Sequence, residues 1–194
     1  MMTILENAEA RESIYPVSLE FYHEAIRLGL IQEDVELLDG VLFKKMAKSP
    51  LHEWLVDLLW NRLQSFCPEF CFIGKERPIS CGNSEPEPDL AMFHGLPGDF
   101  RDHHPTTAEL VIEIAINTLR RDLSKAAIYA EAGVKEYWLI EPEARQITLF
   151  TQPEGRAYAC SNIFPAGSTV TSTVLTVFQL ELGAAVALFH LGAP

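Results

Sequence analysis

Residues 110–116, LVIEIAI, constrain the fold more than any other stretch of this chain. A run this apolar, bounded by polar segments, suits a central strand buried on both faces. One residue interrupts it. Glu113 sets a carboxylate in the middle, and burying that charge costs several kcal/mol unless it is paired, protonated or bound to a cation. A helical pattern over 119–132 follows and stops at Gly133, after which EYWLIEP reads as a second strand. Strand, helix and strand across 109–140 form a βαβ-like unit between flanking hairpins. The expected fold class is therefore α+β, an α/β sandwich with a mixed central β-sheet flanked by helices.

The rest of the chain supplies the flanks. Ser18 can cap a helix to about Leu28, with Gly29 as its stop. VELL-DG-VLFKKM reads as a hairpin, because Asp39-Gly40 suits a type I′ turn. Ser49-Pro50 opens the clearest helix, whose stripe of Leu51, Trp54, Leu55, Leu58, Leu59, Leu63 and Phe66 predicts core. FCFIGKE, RPISC and PDLAMF are short strand candidates, followed by a polar loop over 94–107. QITLFT predicts another strand, 156–178 further antiparallel strands, and 183–190 a short helix. The expected organisation is a flexible N-terminus over 1–16 and a single domain over 17–194. Neither GxGxxG nor GxxxxGK[ST] occurs, which argues against Rossmann and P-loop chemistry.

Charge and cysteine usage narrow the function classes. No apolar run reaches the ~18–20 residues of a membrane span. The opening MMTILENAEARES lacks a cationic and apolar leader, so the expected location is cytoplasmic. Cys67, Cys71, Cys81 and Cys160 lack companions at zinc spacing and read as reduced, small hydrophobes. His94, His103 and His104 share a polar loop with Asp99 and Asp102, which reads as a loop rather than a metal site. The net charge of −12 opposes nonspecific nucleic-acid binding, although small basic groups occur at Lys44, Lys45 and Lys48, at Lys75 and Arg77, and at Arg120, Arg121 and Lys125.

One constellation carries chemistry. Asp89 opens the strand PDLAMF, Glu113 sits inside the next apolar strand, and Lys125 lies one helical segment later. Two carboxylates near strand ends can share a hard divalent cation, and a nearby lysine can position water beside a phosphate. Each residue also has a plainer account. Asp89 suits a turn beside Pro88, strand alternation can place Glu113 on a polar edge of the sheet, and Lys125 suits a surface ion pair with Asp122 at i,i+3. Tyr129, one turn after Lys125, either donates a hydrogen bond into the site or packs.

The string from Glu113 through RRDLSK, Tyr129 and AGVKEYW, together with PDLAMF, resembles the putative restriction endonuclease family of the PD-(D/E)XK nuclease superfamily. The hairpin and SPLHEWLVDLLWNRL resemble its N-terminal half, so the likeness spans roughly 17–152. It implies a restriction-endonuclease-like core in which Asp89 and Glu113 hold Mg2+ or Mn2+, joined by the Ile114 backbone carbonyl. Glu36 and His52 match family positions and are supporting candidates; by themselves Glu36, beside the Asp39-Gly40 turn, reads as an exposed hairpin residue and His52 as a partly buried histidine. The superfamily lysine normally stands two residues after the second acid, where this chain has Ala115; Lys125 takes its place. The usual Ser-Pro-Ser-Thr is here Ala115, Ile116, Asn117 and Thr118.

The implied activity is Mg2+- or Mn2+-dependent endonucleolytic hydrolysis of DNA, with DNA as partner and a homodimer as one way to reach both strands. The alternatives are a catalytically silent interaction module on the same scaffold, or a metal-dependent hydrolase of another phosphoester. The hairpin and the Tyr-Trp strand are candidate contact surfaces.

Overall fold

Six strands form one mixed sheet in the order β3-β4-β5-β6-β7-β8, and only β5 and β6 run parallel. They are β3 (Cys71–Lys75), β4 (Leu90–His94), β5 (Leu110–Ile114), β6 (Glu136–Glu141), β7 (Gln146–Glu154) and β8 (Ala157–Pro165). The computed structural model describes residues 7–32 and 34–191. Around the sheet lie α1 (Ala8–Glu12), α2 (Leu19–Arg27), the hairpin β1 (Val35–Leu38)–β2 (Val41–Lys44), α3 (Pro50–Phe66), α4 (Leu119–Glu131), the pair β9 (Thr169–Thr171)–β10 (Gln179–Glu181), and α5 (Leu182–Leu191). This is the expected α+β fold.

Strand alternation sends successive side chains to opposite faces, and each face has its own helices. Leu110, Ile112, Ile114 and Trp138 pack with Leu55, Leu59 and Leu63 of α3 and with Leu182, Ala185 and Val186 of α5. Val111, Ala115, Tyr137 and Leu139 pack on the other side with Tyr129 of α4. Because helices cover both faces, β5 and β6 are buried along their whole length. Tyr137 and Trp138 are therefore core, not the contact surface their strand suggested.

Local chemistry explains most element ends. Asp39 and Gly40 both adopt positive φ (49° and 75°), which closes the two-residue hairpin with Leu38 opposite Val41. A Cβ on Gly40 would come within 2.5 Å of Pro16 Cβ, so the turn and the incoming chain need glycine there. Ser49 Oγ accepts the His52 backbone N–H and starts α3 with Pro50 in its first turn. Ser49→Ala is expected to lower unfolding stability by about 1 kcal/mol, read as a shifted midpoint in urea at unchanged slope.

Three expectations fail in detail. RPISC forms no strand; Pro78 has no N–H to give a ladder, and Ile79 and Ser80 donate instead to Pro86 and Pro105 carbonyls, leaving a single bridge from Cys81 to Ser84. Phe66 ends α3 40% exposed, its ring edge toward Phe178. The 156–178 region yields β8 and β9, but 172–178 is a turn whose Thr173 and Val174 N–H groups bond the buried Glu136 carboxylate. Within the expected flexible N-terminus, Ala8–Glu12 forms a short helix capped by Asn7; residues 1–6 lie outside the described residues. Cys67, Cys71, Cys81 and Cys160 are free thiols. Among the described residues, no helix is long and apolar enough to cross a membrane.

Candidate active site

The two acids meet where β4 and β5 run side by side. Leu90 pairs with Ile112, so Asp89 and Glu113 are the next residues outward on adjacent strands, near the ends of both. Asp89 Oδ2 accepts the Ile114 backbone N–H at 2.8 Å and lies 3.1 Å from His52 Nε2 on α3. Asp89 is thus held by one donor from the neighbouring strand and one from a helix.

Glu113 points to the α4 face of the sheet. After β5 the chain turns at Asn117, whose φ of 67° is left-handed, and α4 returns across that face. Asp122, Lys125 and Tyr129 fall at i, i+3 and i+7, so the helix presents them as one stripe. Lys125 Nζ donates to Glu113 Oε1 at 3.0 Å, and the Tyr129 hydroxyl donates to the same oxygen at 2.7 Å. Lys125 Nζ also lies 3.0 Å from Glu36 Oε2 and 3.8 Å from Asp122 Oδ1. The hairpin, the central strand and the following helix converge on one ammonium group.

Depth sets the electrostatics. Glu36, Asp89, Glu113, Asp122 and Lys125 are all less than a tenth exposed. Burial pushes the Glu113 carboxyl up to about 8, against the downward pull of Lys125. Asp122 is raised by the same burial, again opposed by Lys125. Burial alone would lower Lys125, but Glu113, Glu36 and Asp122 outweigh it and hold the ammonium above its ordinary range. The Tyr129 hydroxyl is raised by burial and by Glu113, so it stays a proton donor.

Two expectations change here. Asp122 and Lys125 are a buried pair, not a surface one, and Glu36 is enclosed rather than an exposed hairpin residue. Two participants went unassigned in the sequence, Asp122 and Arg121. Arg121 Nη1 donates to the Lys44 carbonyl at 3.0 Å, and its Nε stands 3.6 Å from Glu36 Oε1, buried and without a hydrogen-bond partner. The polar 122–125–129 stripe, on a helix that must cover a sheet, was the signal for Asp122. The loop histidines go elsewhere: His103 lies against Phe100 and His104 against His23.

These groups line a cleft of about 170 Å³. Its donor set fits a hard divalent cation. Asp89 Oδ1 and Glu113 Oε2 carry no hydrogen bond among the described residues, whereas the second oxygen of each carboxylate is anchored. The Ile114 carbonyl accepts only a 3.2 Å bond from Ile116 N–H and keeps a lone pair. Once Glu113 gives up its proton, four buried carboxylates face two cations, Lys125 and Arg121, and a divalent ion matches the excess of two negative charges. Among the described residues, no group of three or more His, Cys, Asp or Glu side chains is arranged to hold a metal. Mg2+ does not require one, since it is commonly held by one or two carboxylates with water and phosphate completing its shell.

Comparison with solved structures finds the same fold in the crystal structure of a putative nuclease belonging to DUF820 from Anabaena variabilis ATCC 29413. That protein is 15% identical, with a TM-score of 0.71 over 88% of this chain and 99% of its own. No curated protein matches the chain. Residues 24–185 match the family described as Uma2, putative restriction endonuclease, a span that includes both hairpin strands, the βαβ unit and every candidate site residue. The chain belongs to the Uma2 putative restriction endonuclease family.

Proposed function

We propose that the protein is a Mg2+- or Mn2+-dependent endonuclease that hydrolyses DNA phosphodiester bonds. The observation that carries this reading is the pair of half-anchored carboxylates, each fixed through one oxygen with the other unbonded, beside a buried ammonium group. Asp89, Glu113 and the Ile114 carbonyl are the residues that would hold the cation. When bound, it polarises the scissile phosphate and lowers the pKa of the attacking water. His52 and the Ile114 N–H orient Asp89, while Tyr129 orients Glu113. Lys125 has an ammonium proton for Glu113 and another for Glu36, and its positive charge opposes the negative charge that grows on the phosphate.

One observation favours a second reading. Lys125 is already surrounded by three carboxylates, and Ala115 occupies the superfamily's usual lysine position, as in a scaffold that has lost catalysis and kept its structure. Metal titration separates the two. Mn2+ at about 100 times its dissociation constant is expected to stabilise the wild type by about 2.7 kcal/mol and Asp89→Ala not at all. No shift in the wild-type melting temperature at millimolar Mn2+ favours the silent module.

The shift has a pH signature. Glu113 in the folded chain keeps its proton up to about 8, whereas the unfolded chain loses it near 4.5. The folded state therefore binds more protons across that window, and the metal-free protein loses stability as pH rises through it. A cation must displace that proton, so stabilisation by Mn2+ grows from about pH 6 to about pH 8 and then levels off. A Mn2+ shift that falls across this range contradicts Glu113 as a ligand.

A further inference from the structure

Residues 41–48, VLFKKMAK, hold three lysines and no acid in a chain of net charge −12. They comprise β2 and the strip leading to α3, and Lys45, Met46 and Lys48 line the cleft that holds Asp89 and Glu113. Apolar side chains among the basic ones are exposed: Leu42 is 37% exposed, Phe43 38% and Met46 55%. Phe43 pairs directly with Glu36 across the hairpin, so its ring projects from the face whose carboxylate reaches Lys125 Nζ. An aromatic ring and a methionine flanked by lysines, continuous with a candidate phosphodiester site, form a stacking platform beside a backbone track.

We infer that this ridge binds the unpaired strand of the substrate, so that the enzyme acts on single-stranded DNA segments; the inference rests on the nuclease reading above. Duplex DNA carries one charge per about 1.7 Å of axis, twice the density of one strand, and would face the acidic remainder of the surface with both phosphate rows. Lys45 and Lys48, which line the cleft, serve a single backbone, whereas Lys44 follows Phe43 in the strand and turns to the other face. A base stacked within a duplex cannot lie on Phe43, whereas an unpaired base offers its whole face. In the free protein the lysines rest on carboxylates, Lys44 on Asp34 at 3.4 Å, Lys45 on Glu87 at 2.6 Å and Lys48 on Glu76 at 2.8 Å. Pairs this accessible hold weakly and can exchange for phosphate.

Fluorescence anisotropy of a labelled mixed-sequence oligonucleotide, alone and annealed to its complement, tests this with Ca2+ in place of Mg2+. The wild type is expected to bind the single strand at least about tenfold more tightly than the duplex, from the stacking a paired base forgoes. Phe43→Ala and Phe43→Leu should each weaken single-strand binding roughly tenfold at unchanged salt dependence. Lys45→Ala with Lys48→Ala should reduce the slope of log affinity against log salt by about 1.4, two phosphate contacts on a single strand. Retained Mn2+ stabilisation certifies the fold of each variant, and Phe43→Leu gives the result if Phe43→Ala does not fold. Equal or tighter duplex binding, or wild-type affinity in Phe43→Leu, overturns this inference and leaves the nuclease reading standing. A wild type that binds neither form and cuts neither with Mn2+ overturns both.

Discussion

Asp89→Ala and Glu113→Ala are each expected to abolish cleavage of single-stranded DNA, and plasmid nicking at unpaired segments, in Mg2+ or Mn2+, by about 10³-fold or more. Lewis-acid stabilisation of a transferring phosphate is worth several kcal/mol, and each 1.36 kcal/mol is a tenfold change in rate. The substitutions differ in what they leave behind. Asp89→Ala strands the Ile114 N–H and His52 Nε2, both buried donors that lose their acceptor, at about 1–3 kcal/mol of stability for an unsatisfied buried group. Glu113→Ala strands one buried donor, the Tyr129 hydroxyl, but removes a carboxyl that burial already disfavours, and Lys125 keeps Glu36. Glu113→Ala should therefore be the more stable variant while being equally inactive. Asp89→Asn is the useful control, because its side-chain oxygen can still accept the Ile114 N–H while its charge is gone. It should fold, fail to cut, and show no Mn2+ shift. Nicking at the wild-type rate by Asp89→Asn or Glu113→Ala would remove these carboxylates from the chemistry.

The fold was legible wherever local chemistry decides conformation. Asp39-Gly40 dictates a two-residue turn, Ser49-Pro50 starts α3, and Gly133 takes a φ of 73° directly after the Ala132 cap of α4. The same holds for β5, whose apolar run requires cover on both faces. What sequence could not convey was depth. Asp122 and Lys125 stand at i,i+3 whether the helix faces water or a sheet, and only the packing of α4 on β6, β7 and β8 turns a weak surface pair into part of a buried network. RPISC has strand-like composition, but its N–H groups find loop carbonyls rather than a ladder. Glu136 is the converse case. It reads as an ordinary strand-edge acid, yet it is fully buried and organises a turn nearly forty residues downstream, at Thr173 and Val174.

Within the candidate site, spacing was enough to nominate Asp89, Glu113, Lys125 and Tyr129, since strand order and helix period bring them together. Glu36 and His52 come from elements whose approach no local pattern encodes. They were nominated only through the family resemblance, and the structure brings both against the central residues.

Lys125 tests the electrostatic argument most severely. Lys125→Met keeps most of the side-chain volume and removes the charge lying 3.0 Å from both Glu36 and Glu113 and 3.8 Å from Asp122. Breaking a buried ion pair by deleting one partner costs about 3–5 kcal/mol, because the remaining charge is left uncompensated. The expected result is a loss of about that size in urea melts at neutral pH. Glu36→Gln in the Lys125→Met background should restore at least about 1 kcal/mol, a coupling typical of groups in direct contact. The loss should also grow as pH rises above about 8. Without Lys125 only the Tyr129 hydroxyl opposes the burial that raises Glu113, so the folded variant keeps that proton past about 8, where the wild type releases it, and goes on losing stability after the wild type levels off. Metal reverses the comparison. With one fewer cation among the carboxylates, Mn2+ should stabilise Lys125→Met more than the wild type even though nicking is lost. A cost below about 1 kcal/mol, unchanged by pH, would mean that the ammonium is solvated and the carboxylates around it are not a charged cluster.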